Sequence, residues 1–403
     1  MSTQPPNARD VTREGLIQAA SEMAPMIRAE AEKAEKAARI PEHVYRALIE
    51  RGFFRVLLPK RYGGYEFEPG VAAQIVLELS AGCGSTGWVT SCAMSHQWMV
   101  AQFPVPCHDE VWRDGSDKMV VTCFAPSGTC ERVDGGYRLS GTWNFASGCN
   151  YADYCFLSIR LPPGDGRDNL MPGFAVVPMS DAEMVEDWDT MGLAATGSHA
   201  VVLEDVFVPD YRALPIPVFA SPEAPGKAIF DTRLGDFPVF SVGSHGLAAT
   251  AVGCLQGALD EFTRMLEEWH AGALGPSIGS KVAEFQSVQK RVGHAGAALK
   301  AAKSMLFGQI EESRQTVYDR EALLDTNERI DNRIAQGYSI QLAIQGLDQL
   351  WGAAGGSGIR HTEIVQRAWR DAHAVSHHAF FNWDAVSAMY GQHHLGLEPV
   401  GLY

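Results

Sequence analysis

The first quarter of the chain alternates apolar and polar positions with a helical period. Within residues 11–38, a segment rich in Ala, Glu and Lys, apolar residues recur every three or four positions, which is typical of a helix with one buried face. These positions are Leu16, Ala20, Met23 and Ile27. A second helix is predicted from Pro41 to a stop at Gly52, since proline favours a helix start. With two more helices over 69–82 and 85–103, an N-terminal helical domain is predicted over 1–115.

The pattern changes near residue 118, where short apolar runs alternate with turn residues. Turn signals such as Asp134-Gly135-Gly136 separate these runs, as expected for strands joined by tight turns. A central antiparallel β domain is therefore predicted over 116–215. Its strands are expected at Met119–Phe124, Tyr137–Trp143, Tyr154–Leu161, Phe174–Val177 and Ala200–Val208.

Long helical periods return after a proline-rich connector. Four such stretches fit a C-terminal four-helix bundle over 230–403, because long helices joined by short loops pack as antiparallel neighbours. The fold class is thus α+β, with helices at both ends and a β domain between them. The four stretches are 240–270, 281–318, 327–354 and 361–392.

The amino-acid composition and the net charge limit the classes of partner that the protein can bind. The 403 residues are 46% hydrophobic and 20% charged, as in ordinary globular proteins. A net charge of −15 argues against nucleic acid and anionic membranes, which require a basic surface. The apolar stretch Val239–Ala258 contains polar residues and predicts a buried helix, not a membrane span. With no secretory signal at the N-terminus and no C-x-x-C pair, a reduced, cytoplasmic protein is expected.

No single motif in the sequence identifies the protein's chemistry by itself. No dinucleotide-binding, P-loop or nucleophile-elbow motif is present. His373 and His377 are four residues apart on a predicted helix, yet no third ligand is evident and no metal is expected. His96 and the aromatic stretch 141–148 each have a structural explanation, as a core histidine and a strand end. The glycine-rich turn 351–357 is equally well explained as a helix end.

Taken together, these segments resemble the acyl-CoA dehydrogenase superfamily over nearly the full length. Residues 278–289 resemble its "FG-x-x-L-x-x-FQ-x-x-Q" helix, residues 349–356 its glycine-rich turn, and Trp369-Arg370-Asp371-Ala372 its "Y-R-D-A" helix start. The resemblance implies an acyl-CoA dehydrogenase-like fold. It also implies a flavin site whose cofactor-binding residues are Phe124, Phe145, Ala146, Ser147, Gly148, Gly355 and Gly356.

Two departures from the superfamily bear on activity. Ala379 stands where many acyl-CoA dehydrogenases carry the carboxylate that abstracts the substrate α-proton, and no Glu occurs between Ile364 and Leu397. Gly275 stands where an Arg usually holds the FAD pyrophosphate. The second departure favours a smaller flavin, FMN, bound reversibly.

The sequence around His378 resembles the oxygenase components of two-component flavin-dependent monooxygenases, such as p-hydroxyphenylacetate, secosteroid-phenol and dibenzothiophene oxygenases. This resemblance implies that a separate NAD(P)H:flavin reductase supplies reduced FMN, or FADH2. With O2 the flavin forms a C4a-hydroperoxyflavin that hydroxylates an aromatic, phenolic or heteroaromatic, substrate. Ser147 is expected to support that species and His378 to act as base or substrate orienter. The substrate pocket is expected to contain Trp88, His96 and His378, with His377 as the alternative to His378 if the register shifts by one.

Two other interpretations are open at this point. One is an atypical acyl-CoA dehydrogenase that oxidises an acyl thioester with FAD and carries its base elsewhere. The other is a degenerate bundle protein retained for oligomer formation. A homotetramer is expected, because the turn Gly352–Gly356 resembles the segment that in this superfamily reaches a neighbouring subunit's flavin.

Overall fold

The N-terminal region is helical in the computed structural model, which describes residues 11–163, 169–270 and 279–403. The first helix begins where Thr12 Oγ1 accepts a hydrogen bond from the Gly15 amide at 3.0 Å, a helix N-cap. The apolar stripe predicted from the sequence is its buried face. The helices of this region are α1 (Arg13–Lys36), α2 (Glu42–Glu50), α3 (Pro69–Ser80), α4 (Gly84–Val100) and α5 (Val105–Val111).

Helix α4 is buried on all sides. Every residue from Gly84 to Val100 is buried, which is the pattern of a helix enclosed between layers and not of a surface helix. Its small residues permit close approach: a Cβ on Gly87 would lie 1.8 Å from Ser80 Oγ on α3. The polar side chains of α4 are therefore inside the protein, where each needs a partner.

The described residues of the central region form two four-stranded sheets, in the orders β1-β4-β5-β8 and β2-β3-β7-β6. Every strand pair is antiparallel, as predicted, except that β1 runs parallel to β4, with Val120 opposite Tyr154. Three strands were not predicted, and β2 shows why: it is largely exposed, so it carries no apolar run. The strands are β1 (Val120–Cys123), β2 (Thr129–Val133), β3 (Gly136–Trp143), β4 (Tyr154–Leu161), β5 (Met171–Pro178), β6 (Glu183–Val185), β7 (Ala200–Pro209) and β8 (Ala213–Pro215).

The C-terminal region is a helical bundle in which α8 packs against α9, α10 and α11. Two short helices precede it, and the capping box of Asp325 and Glu328 begins α10. The helices are α6 (Ile216–Phe219), α7 (Val239–Val242), α8 (His245–Leu266), α9 (Gln286–Arg314), α10 (Thr326–Ala353), α11 (Ile364–Ser376) and α12 (Trp383–His394).

The prediction of one continuous helix over 361–392 is wrong. The chain leaves the helical conformation after Ser376, and His378 has an extended backbone with φ −64° and ψ 141°. Asn382 then starts α12 by accepting from the Ala385 amide at 3.1 Å. This break turns the chain towards the β domain, because the following aromatic residues pack on Phe124.

One apolar cluster joins the three regions. Buried residues of α4, β3 and α8, such as Trp98, Trp143 and Leu255, belong to the same core cluster. In the three described ranges, no helix is both long and apolar enough to cross a membrane.

Candidate active site

A chain of hydroxyl groups runs inward from Ser147. Ser147 Oγ accepts from Trp88 Nε1 at 3.0 Å and lies 2.8 Å from Ser198 Oγ. Ser198 Oγ in turn lies 2.7 Å from Thr196 Oγ1, which donates to the Leu193 carbonyl at 2.7 Å. Ser147 was a predicted site residue, whereas Thr196 and Ser198 were missed, since they reach the site from another loop.

The direction of this chain follows from hydrogen counting. A hydroxyl has one hydrogen and two acceptor positions. The hydrogen of Thr196 is used on Leu193 O, so Ser198 must donate to Thr196 and Ser147 must donate to Ser198. Ser147 therefore keeps one acceptor position free beyond the bond from Trp88. This free acceptor position suits the N5–H donor of a reduced flavin, so the hydrogen-bonding chemistry of the site fits the cofactor.

The loop around Ser147 offers an exposed aromatic face. Phe145 is 66% exposed and has φ +69°, an uncommon conformation for a residue with a side chain. Its ring meets Trp188 edge-on at 6.0 Å. Ala146 is buried, and Gly148, with φ +82°, donates its amide to Thr196 O at 2.8 Å. A large apolar ring held at the surface beside a free acceptor suits a planar cofactor.

His96 is buried on α4 and neutral. Its Nδ1 lies 2.8 Å from the Val120 carbonyl oxygen, an acceptor, so Nδ1 carries the hydrogen and Nε2 is the acceptor. Burial lowers the pKa of His96 to about 4, and the hydrogen bond to Val120 opposes that shift. At neutral pH His96 therefore presents an unprotonated ring nitrogen.

His378 presents the opposite hydrogen-bonding group, a ring N–H donor. Its Nδ1 accepts from the Phe380 amide at 3.3 Å, so the ring hydrogen is on Nε2. Burial, together with the positive charge of Arg333 and the neighbouring His96, lowers the pKa of His378 to about 4. The ring meets Trp88 at 5.4 Å and Phe124 at 6.2 Å, both edge-on. The rings of Trp88, Phe124 and His378 thus lie together.

His377 is exposed, and its Nδ1 lies 2.8 Å from the His373 carbonyl one turn back. The structure therefore brings the ring of His378, and not that of His377, next to Trp88 and Phe124.

Among the described residues no cluster of three His, Cys, Asp or Glu side chains has the arrangement of a metal site.

A small cavity lies beside these residues. Its volume is about 30 Å³, room for a single water, so a substrate ring requires an aromatic such as Phe380 or Phe240 to rotate. No carboxylate lines it. The residues that matter most in its wall are His96, Met99, Phe124, Phe240, Ser244 and Phe380. Met99, Phe240, Ser244 and Phe380 were missed, because the segments that carry them come together only in the fold.

Two family descriptions match the chain: "Acyl-CoA dehydrogenase, N-terminal domain" over residues 13–105 and "Acyl-CoA dehydrogenase, C-terminal domain" over 245–383. The oxygenase component of a FADH(2)-dependent resorcinol hydroxylase from Rhizobium sp. (strain MTP-10005) is 35% identical, covering 100% of this chain and 99% of the relative. The chain belongs to the acyl-CoA dehydrogenase superfamily. Within it, the branch is that of the oxygenase components of flavin-dependent monooxygenases.

Further relatives support the same assignment to this superfamily. The oxygenase subunit HsaA of a flavin-dependent monooxygenase from Rhodococcus jostii (strain RHA1) is 32% identical over 93% of this chain and 96% of its own. The crystal structure of 3-HSA hydroxylase from Rhodococcus sp. RHA1 superposes with a TM-score of 0.89 at 29% identity, covering 96% and 98% of the two chains. XiaF from Streptomyces sp., in complex with FADH2 and glycerol, has a TM-score of 0.89 at 26% identity, covering 97% and 98%.

The superfamily's glycine-rich turn lies near Trp269 within this single chain, since a Cβ on Gly355 would be 3.6 Å from its ring. Gly355 has φ +64° and ψ −166°, a conformation that favours glycine, and a Cβ on Gly356 would meet nothing within 4 Å. In the described ranges, no hydrogen bond joins this turn to the loop of Ser147. Gly275, the other departure noted in the sequence, lies outside the described residues. Ala379 lies exposed in the helix break, so no carboxylate base stands there.

Proposed function

We propose that this oxygenase component hydroxylates a small phenol with O2 and a reduced flavin supplied by a separate reductase. The observation that carries the proposal is a pair of neutral histidines, His96 buried and His378 half-buried, with opposite free positions, an acceptor on His96 and a donor on His378. Such a pair matches a phenol, whose hydroxyl both donates and accepts. Relatives named for resorcinol and for p-hydroxyphenylacetate support this substrate class.

The overall reaction sets what the residues must do. Reduced flavin, when bound, supplies the two electrons with which O2 delivers one oxygen atom to the substrate and one to water. Ser147 would hold a flavin N–H through its free acceptor position, and Trp88 and Ser198 fix the Ser147 hydroxyl. Phe124 and the buried Trp88 exclude water from the reacting region, which suppresses side reactions with solvent.

His96 and His378 act on the substrate in different ways. His96 Nε2 accepts the phenol proton, and the oxygen retains the electron pair, which makes the ring carbons more nucleophilic. His378 Nε2–H donates to the substrate oxygen and orients the ring. Two roles were expected for His378, base or substrate orienter, and this assignment keeps the second. His96 is the base.

The identity of the flavin rests on two different kinds of support. The missing Arg at Gly275 favours reduced FMN, whereas the relative with 35% identity is named as FADH(2)-dependent. Both flavins therefore belong in the assay.

A cytoplasmic homotetramer is the assembly we propose. Its support is the exposed backbone at Gly355 and Gly356, which would permit close approach to the flavin of a neighbouring subunit.

Product analysis by mass spectrometry tests the function. Protein, reduced FMN or FADH2, O2 and a panel of phenols should give a product that is one oxygen atom heavier than its substrate. A non-phenolic analogue such as a methyl ether serves as the matched control. Oxidation of an acyl thioester without oxygen incorporation would instead support the acyl-CoA dehydrogenase interpretation.

A further inference from the structure

Arg333 is a buried cation without a carboxylate partner. It lies on α10 and is 4% exposed. Burial is the cause that lowers its pKa to about 10, so it is charged at neutral pH, and within the described ranges no acidic group contributes to it. Buried charges are nearly always paired, because an unpaired ion loses its hydration without compensation. The missing negative charge therefore calls for an explanation.

The contacts of Arg333 place it directly behind the pocket wall. Nη1 donates to Ser244 Oγ at 3.0 Å and to Gln336 Oε1 at 2.8 Å, and Nη2 donates to the Phe380 carbonyl oxygen. The guanidinium carbon lies 4.9 Å from the centre of the Phe380 ring. Ser244 and Phe380 both line the cavity that contains His96. All of these partners are neutral, and Nε has none.

The neighbouring titratable groups do not balance this charge. Those that interact with Arg333 or with each other here are His378, His245 and His96, and burial lowers the pKa of each. Arg333 lowers the pKa of His378 and of His245 further. All three histidines are therefore neutral at pH 7, and the pocket carries a net positive charge.

We propose that Arg333 makes this pocket select the ionised form of its substrate, so that a bound phenolate is the counterion that the protein lacks. The inference rests on the proposed function and adds the ionisation state of the ligand. A phenol that is already ionised in solution binds without proton transfer, and its negative charge then balances that of Arg333. When the phenol binds neutral, its O–H bond breaks, the proton goes to His96 Nε2 and the electron pair stays on the substrate oxygen. Arg333 acts through the layer of Ser244 and Phe380, and is a positioning residue.

Arg333 also holds the geometry of the helix break. Its bond to the Phe380 carbonyl fixes the residue whose amide donates to His378 Nδ1. That amide determines which ring nitrogen of His378 bears the hydrogen. One side chain thus sets both the charge of the pocket and the donor face of His378.

A coloured phenol gives a readout that does not depend on turnover. The probe is 4-nitrophenol, whose ionised form absorbs visible light, titrated with the protein as purified over a range of pH. The bound probe should have a pKa at least about one unit below that of the free probe, which corresponds to about tenfold tighter binding of the anion. The neutral analogue 4-nitroanisole should bind at least about tenfold more weakly than the anion.

Variants assign the effect to Arg333. Arg333→Gln should abolish the pKa shift of the bound probe, whereas Arg333→Lys should keep most of it, since it keeps the charge. Arg46→Gln, which removes an exposed positive charge on α2, is the matched control and should leave the shift unchanged. Circular dichroism shows whether each variant folds.

The outcomes separate this inference from the proposed function. A bound probe with an unshifted pKa in the wild-type protein overturns the inference even if no variant folds. An unchanged pKa shift of the bound probe in Arg333→Gln overturns it too. So does an Arg333→Gln variant that loses only affinity for reduced flavin, because the flavin would then be the counterion. Failure of the proposed function looks different: no phenol gains oxygen, and resorcinol does not displace the probe.

Discussion

Replacing His96 by asparagine removes the ring nitrogen assigned as proton acceptor and keeps the group that anchors the side chain. The asparagine amide can donate to the Val120 carbonyl, which His96 Nδ1 meets at 2.8 Å. That buried carbonyl therefore keeps a hydrogen bond worth about 1 kcal/mol. No atom of the asparagine replaces Nε2, so the substitution removes the proposed proton acceptor.

The expected effect on catalysis is large at neutral pH and depends on the substrate. Loss of general-base assistance should lower hydroxylation about 10²–10⁴-fold. Because a substrate that is already ionised needs no base, the loss should shrink with more acidic phenols and at higher pH. The assay measures kcat and kcat/KM for a series of phenols of decreasing pKa, in wild type and variant.

A second readout comes from the pKa of His96. Its depression from 6.5 to about 4 means that the unfolded chain takes up a proton that the folded protein refuses. Wild-type stability should therefore fall as the pH drops through this window, by about 3 kcal/mol from this residue alone. His96→Asn lacks that contribution. Urea denaturation at about pH 7 and about pH 4.5 should show a smaller acid-induced loss in the variant than in wild type.

Two results would refute the reasoning. A His96→Asn enzyme with near wild-type turnover at neutral pH would remove His96 from proton transfer. A large loss that is the same for every phenol would show a packing defect and not a missing base. His43→Asn, at an exposed position, is the matched control for catalysis and should leave turnover unchanged.

Three further predictions concern the flavin, His378 and the assembly. Ser147→Ala should release more hydrogen peroxide per flavin oxidised, because the acceptor position is lost; an unchanged ratio would exclude Ser147 from holding the flavin. His378→Gln, whose amide N–H can replace Nε2–H, should retain more hydroxylation than His378→Leu, and equal losses would contradict the donor role. Light scattering should show a homotetramer, with a stable 43.8 kDa monomer as the contrary result. Gly355→Leu should then weaken flavin binding with the tetramer intact.

The sequence was sufficient for features that depend on local periodicity. Helix α1 appears where its apolar stripe predicts it, and α4 shows the continuous small and apolar composition of an enclosed helix. The same reasoning failed at residues 377–382, because the helical period continues across the break. The Asn382 cap was the one local signal of a new helix start.

Long-range contacts account for the parts of the site that were missed. Ser147 meets Ser198 across 51 positions of sequence, and Arg333 meets Ser244 across 89. No period or motif encodes such pairs. Arg333 did leave a trace, since it is the charged residue among the buried positions of α10 between Ile330 and Ile340, which also include the polar residues Asn332, Gln336 and Ser339. A charged residue on a buried helix face is a signal for a partner that the sequence does not show.

The most direct test of the central claim is the origin of the oxygen in the product. The purified protein, reduced flavin and resorcinol are mixed under ¹⁸O₂, with catalase present to remove free peroxide. We expect a hydroxylated product that contains one labelled oxygen atom, and none when the methyl ether of the phenol is used. Full oxidation of the flavin with all oxygen recovered as hydrogen peroxide, for every phenol tried and with either flavin, would contradict the claim that this chain is a phenol-hydroxylating oxygenase.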